Sequence, residues 1–168
     1  MPNPDFDAEA LYRQLADSVK SSLASTDNLA VVGIYSGGAW LAERLAQELN
    51  VGNRLGFIDV SFYRDDYAEK GLHAEVKPTQ ISFEVEGATI LLVDDVLYTG
   101  RTTRAAINEL FDYGRPAKIK LAALVDRGGR ELPIAADFVA QTVALTQDQQ
   151  LVLGRDDDGR FSLTVDHA

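Results

Sequence analysis

Residues 90–103 read ILLVDDVLYTGRTT, and they carry three structural signals in succession. The run 89–93 is apolar and branched, which is typical of a central strand covered on both faces. Two adjacent acids, Asp94 and Asp95, follow this strand, and after them comes a turn of hydroxyl residues, glycine and arginine. A strand that ends in polar residues and a small-residue turn predicts α/β construction with a site at the strand end.

The segment after this turn predicts a helix. Its apolar residues share one helical face, namely Ala106, Ile107, Leu110 and Phe111, and Gly114 followed by Pro116 gives a stop signal. The first turn of such a helix offers free backbone N–H groups and a positive dipole end. Gly100 lets the backbone close around an anion, and threonine hydroxyls at 99, 102 and 103 add donors. These features predict a phosphate pocket, and we call residues 98–102 the phosphate loop.

Composition is that of a soluble globular protein, with 46% hydrophobic and 25% charged residues in a chain of 168. That length fits one domain, and the absence of cysteine excludes disulfides and thiol chemistry. The opening residues, MPNPDFD, contain no basic segment, and no apolar run reaches the length of a membrane span. We therefore expect a single-domain cytoplasmic protein with no signal peptide and no membrane partner.

The net charge of −10 argues against a broad basic surface for nucleic acid. The charge is distributed unevenly, because residues 101–130 carry seven Arg or Lys against three acids, which leaves −14 for the rest. A locally positive pocket in an acidic protein suits a small polyanionic substrate. We read Lys118 and Lys120 as solvated charges outside that pocket.

Hydrophobic spacing predicts alternating helices and strands along the remaining chain. The predicted helices are 7–23, with Asp7 as its cap, and 39–49; the predicted strands are 30–34, 55–63, 119–125, 139–145, 151–153 and 161–165, with a turn at 156–159. Three loops, after Ile34, Val93 and Val125, should converge at one sheet edge, because ligands in open α/β sheets collect at the carboxyl ends of strands. The last of these, residues 126–133, we call the base loop. Residues 64–78 are polar and mixed in sign, which fits either a mobile functional loop or an exposed hairpin.

The sequence resembles a known family at several of these motifs. VDDVLYTGRT, residues 93–102, resembles the phosphoribosyl-pyrophosphate (PRPP) signature of type I phosphoribosyltransferases. With RP at 115–116, VDRG at 125–128, ELPI at 131–134 and IDVSFYRDD at 58–66, it is similar to the pyrimidine operon regulators, which are also uracil phosphoribosyltransferases. The resemblance implies a mostly parallel sheet flanked by helices, with a hood or hairpin extension, and we also expect a homo-oligomer.

The resemblance assigns roles to five sets of residues. It implies a catalytic role for Asp94, Asp95 and Arg127; binding of the PRPP 5′-phosphate by Val96, Leu97, Tyr98, Thr99, Gly100, Arg101 and Thr102; a pyrophosphate loop at Ser36, Gly37 and Gly38; a flexible loop at Tyr63, Arg64, Asp65 and Asp66; and base recognition by Asp126, Arg127, Gly128 and Leu132. Tyr35 and Gly37 stand where better-known members carry a Lys and an Arg. A glycine pair in that position is also compatible with a plain structural turn.

The paired acids Asp94 and Asp95 could bind ribose and a metal ion. Adjacent carboxylates repel each other, and side chains at successive strand positions point to opposite faces. One acid can accept hydrogen bonds from ribose hydroxyls, and the other can serve the same ring or, through water, a Mg²⁺ ion, which prefers oxygen ligands. A purely structural pair capping the turn is the alternative. The reaction that the resemblance implies is uracil plus PRPP giving UMP and pyrophosphate.

Two other functions remain open. A purine phosphoribosyltransferase on the same fold is disfavoured by Tyr98, because purine members commonly carry an acid there and tyrosine, with a pKa near ~10, is a poor base. A non-catalytic, UMP-sensing regulator that binds a leader mRNA and controls transcription by attenuation would need a basic face. Helix 7–23 supplies Arg13 and Lys20 beside Asp17, while Gly129 and Ala135 stand where RNA-binding members often have His and Arg.

Overall fold

The computed structural model describes residues 6–60 and 79–167, and their chain alternates between helix and strand. Its elements, numbered in chain order, are α1 (Ala8–Leu23), β1 (Leu29–Ile34), α2 (Gly37–Leu49), β2 (Leu55–Ile58), β3 (Thr89–Leu97), α3 (Arg101–Phe111), β4 (Lys118–Asp126), β5 (Phe138–Thr142), β6 (Gln149–Arg155) and β7 (Phe161–His167). Strands β2-β1-β3-β4-β5 form a parallel sheet in that order, and β6 and β7 form an antiparallel hairpin. The predicted α/β class, with its parallel sheet and hairpin extension, is confirmed.

The centre of the sheet is β3, which pairs with β1 on one side and β4 on the other. Its residues Ile90 to Val93 are fully buried. Alternation along the strand divides them between two hydrophobic clusters: Leu91 and Val93 pack with α1 and α2, whereas Ile90 and Leu92 pack with α3. The run 89–93 is apolar throughout because both of its faces are covered.

Several predicted boundaries differ from the structure, including the end of β5 and both ends of β6, and three of the differences lie near the sheet edge where the site is expected. Strand β3 continues through both acids to Leu97, because β4 keeps pairing with it up to Asp126. Helix α2 begins at Gly37 rather than 39, with Ser36 at its N-cap position, so the two glycines belong to the helix. Strand β2 ends at Ile58 rather than 63, and the last three positions of that prediction lie outside the described residues.

Helix α3 confirms most of its predicted buried face. Ala106 and Leu110 are fully buried, but Phe111 is 53% exposed. A helix turns by about 100° per residue, so the position after Leu110 points away from the sheet. Helix α1 agrees with its prediction, and the carboxylate of Asp7 accepts a hydrogen bond from the Ala10 N–H at 3.0 Å.

The β6–β7 hairpin packs on α1 and α2, and Arg44 of α2 lies at the centre of that contact. Its guanidinium pairs with Glu9 at 2.8 Å and donates to the Gly159 carbonyl at 2.5 Å. The same group lies 3.9 Å from the ring centroid of Phe161 and 4.7 Å from that of Tyr12. The Arg44 side chain therefore joins both helices to the turn between β6 and β7. The predicted turn at 156–159 is confirmed by its backbone hydrogen bonds. None of the helices in the described ranges is long and apolar enough to cross a membrane.

We predict that Arg44→Ala lowers the free energy of unfolding by about 1–3 kcal/mol, because the half-buried Glu9 carboxylate loses its cation and keeps only the Phe161 N–H, and the Gly159 carbonyl loses its donor. Arg155→Ala is the matched control, since Arg155 joins the same hairpin to α2 through a contact 4.9 Å from the Trp40 ring centroid and an exposed 3.4 Å pair with Glu43. Such a pair contributes under about 1 kcal/mol. Urea unfolding of both variants is the measurement, and equal losses would contradict the central role of Arg44.

Candidate active site

The carboxyl ends of β1, β3 and β4 lie at one edge of the sheet, because the three strands are parallel neighbours. Helices α2 and α3 both begin at that edge, so two helix N-termini point their free N–H groups there. The predicted convergence of the three loops is therefore present in the structure. It brings the glycines of α2, the acids of β3 and the start of α3 into one region.

Asp94 and Asp95 lie within β3 and differ in exposure. Asp94 is 6% exposed, and its Oδ1 accepts a hydrogen bond from the Asp95 N–H at 2.8 Å. Asp95 is half-buried, and its Oδ1 accepts from the Val96 N–H at 2.8 Å. A Cβ at Gly37 would overlap the other oxygen of Asp95, and a Cβ at Gly38 would overlap the Val93 carbonyl. The absence of side chains at 37 and 38 therefore lets the start of α2 lie directly against the acids.

The phosphate loop turns sharply into α3. Gly100 is in the left-handed region, with φ 94°, and a Cβ there would lie 3.0 Å from the side chain of Ile134. The Thr99 hydroxyl accepts a hydrogen bond from the Arg101 N–H at 3.2 Å. The Thr103 hydroxyl is buried in the first turn of α3 and has no hydrogen-bond partner among the residues described. Glycine at 100 is thus required by both backbone conformation and space.

The base loop is bonded directly to the chain that leads into α3. Three successive carbonyls accept its donors: Leu97 O from Arg127 N at 3.0 Å, Tyr98 O from Arg130 Nη1 at 2.8 Å, and Thr99 O from Glu131 N at 2.9 Å and Leu132 N at 3.2 Å. The two loops therefore form one hydrogen-bonded unit. Sequence reasoning brought them to the same edge but did not find these bonds, which leave no periodic signal.

Arg127 is held by backbone carbonyls. Its two terminal nitrogens donate to Gln149 O at 2.8 Å and Thr146 O at 3.0 Å, and its guanidinium lies 4.0 Å from the ring centroid of Tyr98. Gly129 packs on the other part of that ring, where an added Cβ would come within 2.5 Å of Tyr98 Cε1. The Tyr98 ring is thus positioned by two residues of the base loop.

Other arginines of the segment 101–130 also have partners. Arg130 pairs with Asp126 at 2.5 Å, and Arg101 pairs with Glu131 at 2.7 Å on the surface. The hydrogen bond from Arg130 holds the pKa of Asp126 below its usual value, against the opposing effect of burial, and the Gly128 N–H at 2.9 Å adds to it. The expected positive pocket is therefore weaker than the count of basic residues indicates.

The remaining predicted residues are distributed as follows. Val96 and Leu97 are strand residues of β3, Thr102 lies in the first turn of α3, and the side chain of Leu132 packs against Gly100. Tyr63, Arg64, Asp65 and Asp66 lie outside the described residues. Within residues 6–60 and 79–167, no three His, Cys, Asp or Glu side chains are grouped to hold a metal. The pair on β3 fits an ion that takes most of its ligands from substrate oxygens and water.

A parallel sheet with paired acids on its central strand and a phosphate loop opening the next helix defines the class of this protein. A family model described as phosphoribosyl transferase domain matches residues 6–150. The chain is similar to a hypoxanthine phosphoribosyltransferase of Staphylococcus aureus, with TM-score 0.63, 21% identity and coverage of 86% of this chain and 77% of that one. It is also similar to a purine phosphoribosyltransferase of Pyrococcus horikoshii, with TM-score 0.61, 23% identity and coverage of 82% and 83%. At these identities the likeness concerns the fold.

Curated relatives narrow the assignment. A protein named Bifunctional protein PyrR from Ralstonia nicotianae is 53% identical over 98% of this chain and 97% of that protein. Another of the same name from Nitrosococcus oceani is 46% identical over 97% and 95%. The chain therefore belongs to the phosphoribosyltransferase family and, within it, to the PyrR proteins. The resemblance drawn from the sequence motifs is confirmed.

We predict that Gly37→Ala lowers phosphoribosyl transfer by roughly tenfold to hundredfold, because its methyl group displaces the Asp95 carboxylate and small misplacements are costly in catalysis. Gly52→Ala is the control for lost stability alone: its φ of 64° strains an alanine by about 1–2 kcal/mol, but a Cβ there meets nothing within 4 Å and the residue lies in the turn before β2. Initial rates and circular dichroism of both variants are compared. Normal rates for Gly37→Ala would show that phosphoribosyl transfer does not depend on the present position of the Asp95 carboxylate.

Proposed function

We propose that this chain is a uracil phosphoribosyltransferase that converts uracil and PRPP to UMP and pyrophosphate. The observation that supports it most is the meeting of three features at one sheet edge: the acids of β3, the glycine-mediated approach of α2, and the phosphate loop opening α3. The high identity to PyrR proteins over nearly the whole chain supports the same reading.

In this proposal the chain mainly orients its substrates. The phosphate loop and the first turn of α3 receive the 5′-phosphate through backbone N–H groups and through hydroxyls such as the buried one of Thr103. Asp94 and Asp95 accept hydrogen bonds from the ribose hydroxyls, and the start of α2 at Ser36, Gly37 and Gly38 receives the pyrophosphate. Mg²⁺, when bound near the acids, neutralises charge that develops on the leaving pyrophosphate.

The reaction needs orientation and electrostatics more than covalent participation by the protein. A ring nitrogen of the base forms a bond to C1 of the ribose as the bond from C1 to the pyrophosphate oxygen breaks, while positive charge develops on the sugar. The proton of that ring nitrogen passes to water. Carboxylates on β3 stabilise that charge, and the two helix N-termini stabilise the departing phosphates. Fixed backbone donors require no reorganisation during the reaction, which suits a loop whose conformation is set by its own hydrogen bonds.

The base loop and Tyr98 are the proposed determinants of the base. Uracil offers two carbonyl acceptors and an N3–H donor, whereas cytosine replaces one acceptor with an amino group. Backbone donors cannot reverse their polarity, so cytosine would leave a buried group unpaired at a cost of about 1–3 kcal/mol. Tyr98 stands where purine members commonly carry an acid placed to take a proton from the purine ring, so a phenol in place of that carboxylate disfavours purines.

We expect uracil to be preferred over cytosine by about tenfold or more, and hypoxanthine and guanine to be poor substrates. The measurement is competition among the four bases at equal concentration with limiting PRPP, with and without Mg²⁺. Asp94→Asn and Asp95→Asn should lower the rate far more than the stability, and Arg115→Gln, on an exposed residue at the opposite end of β4, serves as the control. A preference for a purine, or full activity in both asparagine variants, would contradict the proposal.

The relatives are named bifunctional, which favours a second activity beside phosphoribosyl transfer. The resemblance described above makes that activity UMP-responsive binding of a leader mRNA. The charges on α1 limit the affinity of this helix for RNA. Arg13 and Lys20 both pair with Glu48 of α2, at 2.8 Å and 3.6 Å. Burial opposes ionisation of Glu48, but hydrogen bonds from Tyr12 and Arg13 outweigh it and lower its pKa, so this carboxylate is charged at neutral pH. We infer that this face binds RNA weakly.

We predict that Glu48→Gln strengthens binding of leader RNA and makes it steeper in salt, because it releases two cations for phosphate contacts. The Gln amide can still accept the hydrogen bond of Tyr12, so the packing is kept. Glu43→Gln, on an exposed residue of α2, is the control. Affinity is measured with and without UMP at several salt concentrations, with the oligomeric state determined in the same buffer, since a homo-oligomer would bring such faces together. Unchanged affinity in Glu48→Gln would exclude this face as the RNA surface.

A further inference from the structure

Arg130 makes three contacts that join the base loop to the phosphate loop. Its Nη1 donates to the Tyr98 carbonyl at 2.8 Å, its Nε to the Ile134 carbonyl at 2.7 Å, and its Nη2 to Asp126 Oδ2 at 2.5 Å. The side chain is 24% exposed. Asp126 begins the base loop and Ile134 directly follows it, so one guanidinium holds both ends of that loop against the phosphate loop.

The other bonds between the base loop and residues 97–101 are made by backbone groups of 127, 131 and 132 and by the surface pair of Arg101 with Glu131. Arg130 differs from that surface pair because its side chain is mostly buried and bonds the carbonyl of Tyr98, a main-chain group of the phosphate loop. A guanidinium is planar and carries its donors in a fixed fork, so it fixes the relative orientation of its three acceptors. Lysine, a point charge on a flexible stem, cannot hold all three in that geometry.

We propose that Arg130 is a positioning residue that couples the two substrate subsites, so that a phosphate on the phosphate loop tightens binding of the base and the base tightens binding of the phosphate. The identity of the two ligands rests on the proposed function. The coupling follows because a ligand that orders one loop also fixes the acceptors of Arg130 in that loop, and Arg130 then orients the other loop. Such coupling is reciprocal, since each ligand changes the affinity for the other by the same factor.

The first test needs no ligand. Hydrogen exchange of the amides at 98–104 is compared in wild type, Arg130→Gln, Arg130→Lys and Asp126→Asn. We expect roughly tenfold faster exchange in Arg130→Gln, because the backbone of the phosphate loop loses a restraint. Arg130→Lys should be intermediate, and Asp126→Asn should follow Arg130→Gln in direction, since it removes the carboxylate that orients the guanidinium. Arg115→Gln should match wild type.

The second test measures the coupling itself. The dissociation constant of uracil is determined with and without saturating ribose 5-phosphate, which occupies the phosphate loop and the ribose position at the acids and leaves the base subsite empty. The dissociation constant without ribose 5-phosphate, divided by the constant with it, should exceed 1 in wild type and Arg115→Gln and approach 1 in Arg130→Gln. Thermal unfolding verifies that each variant is folded. A residue that only stabilised the fold would change both constants without changing their ratio.

The outcomes separate this inference from the proposed function. A wild-type ratio of 1, or the same ratio and the same exchange rates in wild type and Arg130→Gln, would overturn the coupling even if uracil is turned over normally. If the wild type neither binds nor converts uracil, the proposed function fails. In that case, hydrogen exchange tests the positioning role of Arg130 by itself. Faster exchange of the amides at 98–104 in Arg130→Gln than in wild type supports that role, and equal rates overturn it.

Discussion

The site depends on a difference in length between two neighbouring strands. Strand β1 pairs with β3 as far as Val93 and then leaves the sheet for α2, whereas β4 accompanies β3 to Leu97. Beyond Val93, β3 is held on one side and open on the other. Asp94 and Asp95 occupy that open section, and the glycines at the start of α2 approach it closely. Every group proposed to contact substrate lies around this opening.

Among the residues that the structure describes, the fixed positive character at this sheet edge comes mainly from backbone N–H groups. Arg127 binds the carbonyls of Gln149 and Thr146, and Arg130 holds the base loop. Two helix N-termini remain at the sheet edge, and they present N–H groups that keep their charge distribution at any pH. This arrangement is consistent with Tyr35 and Gly37 standing where related proteins place basic residues. In the proposed function, anion recognition therefore depends on the polypeptide's own dipoles.

Sequence reasoning found the parts of the site that leave local signals. The apolar run 89–93, the paired acids and Gly100 each have a local physical cause, and the structure contains the strand, the acids and the turn. The contacts it missed join residues far apart in sequence, such as Arg130 with Tyr98 or Arg13 with Glu48. Hydrophobic periodicity does not predict which carbonyl or carboxylate an arginine side chain will bind. The start of α2 was misplaced by two residues because glycine usually marks turns, whereas here it permits close packing.

The contact around Arg44 also bears on how the chain acquires its structure during synthesis. Helix α1 is made before the β6–β7 hairpin, but its apolar face is covered in part by residues of that hairpin such as Leu151, Phe161 and Val165. Until that hairpin leaves the ribosome, the helix has an incomplete partner surface, and exposed apolar faces of this kind attract other chains. Closure of the hydrophobic core is therefore a late event that joins the two ends of the described chain.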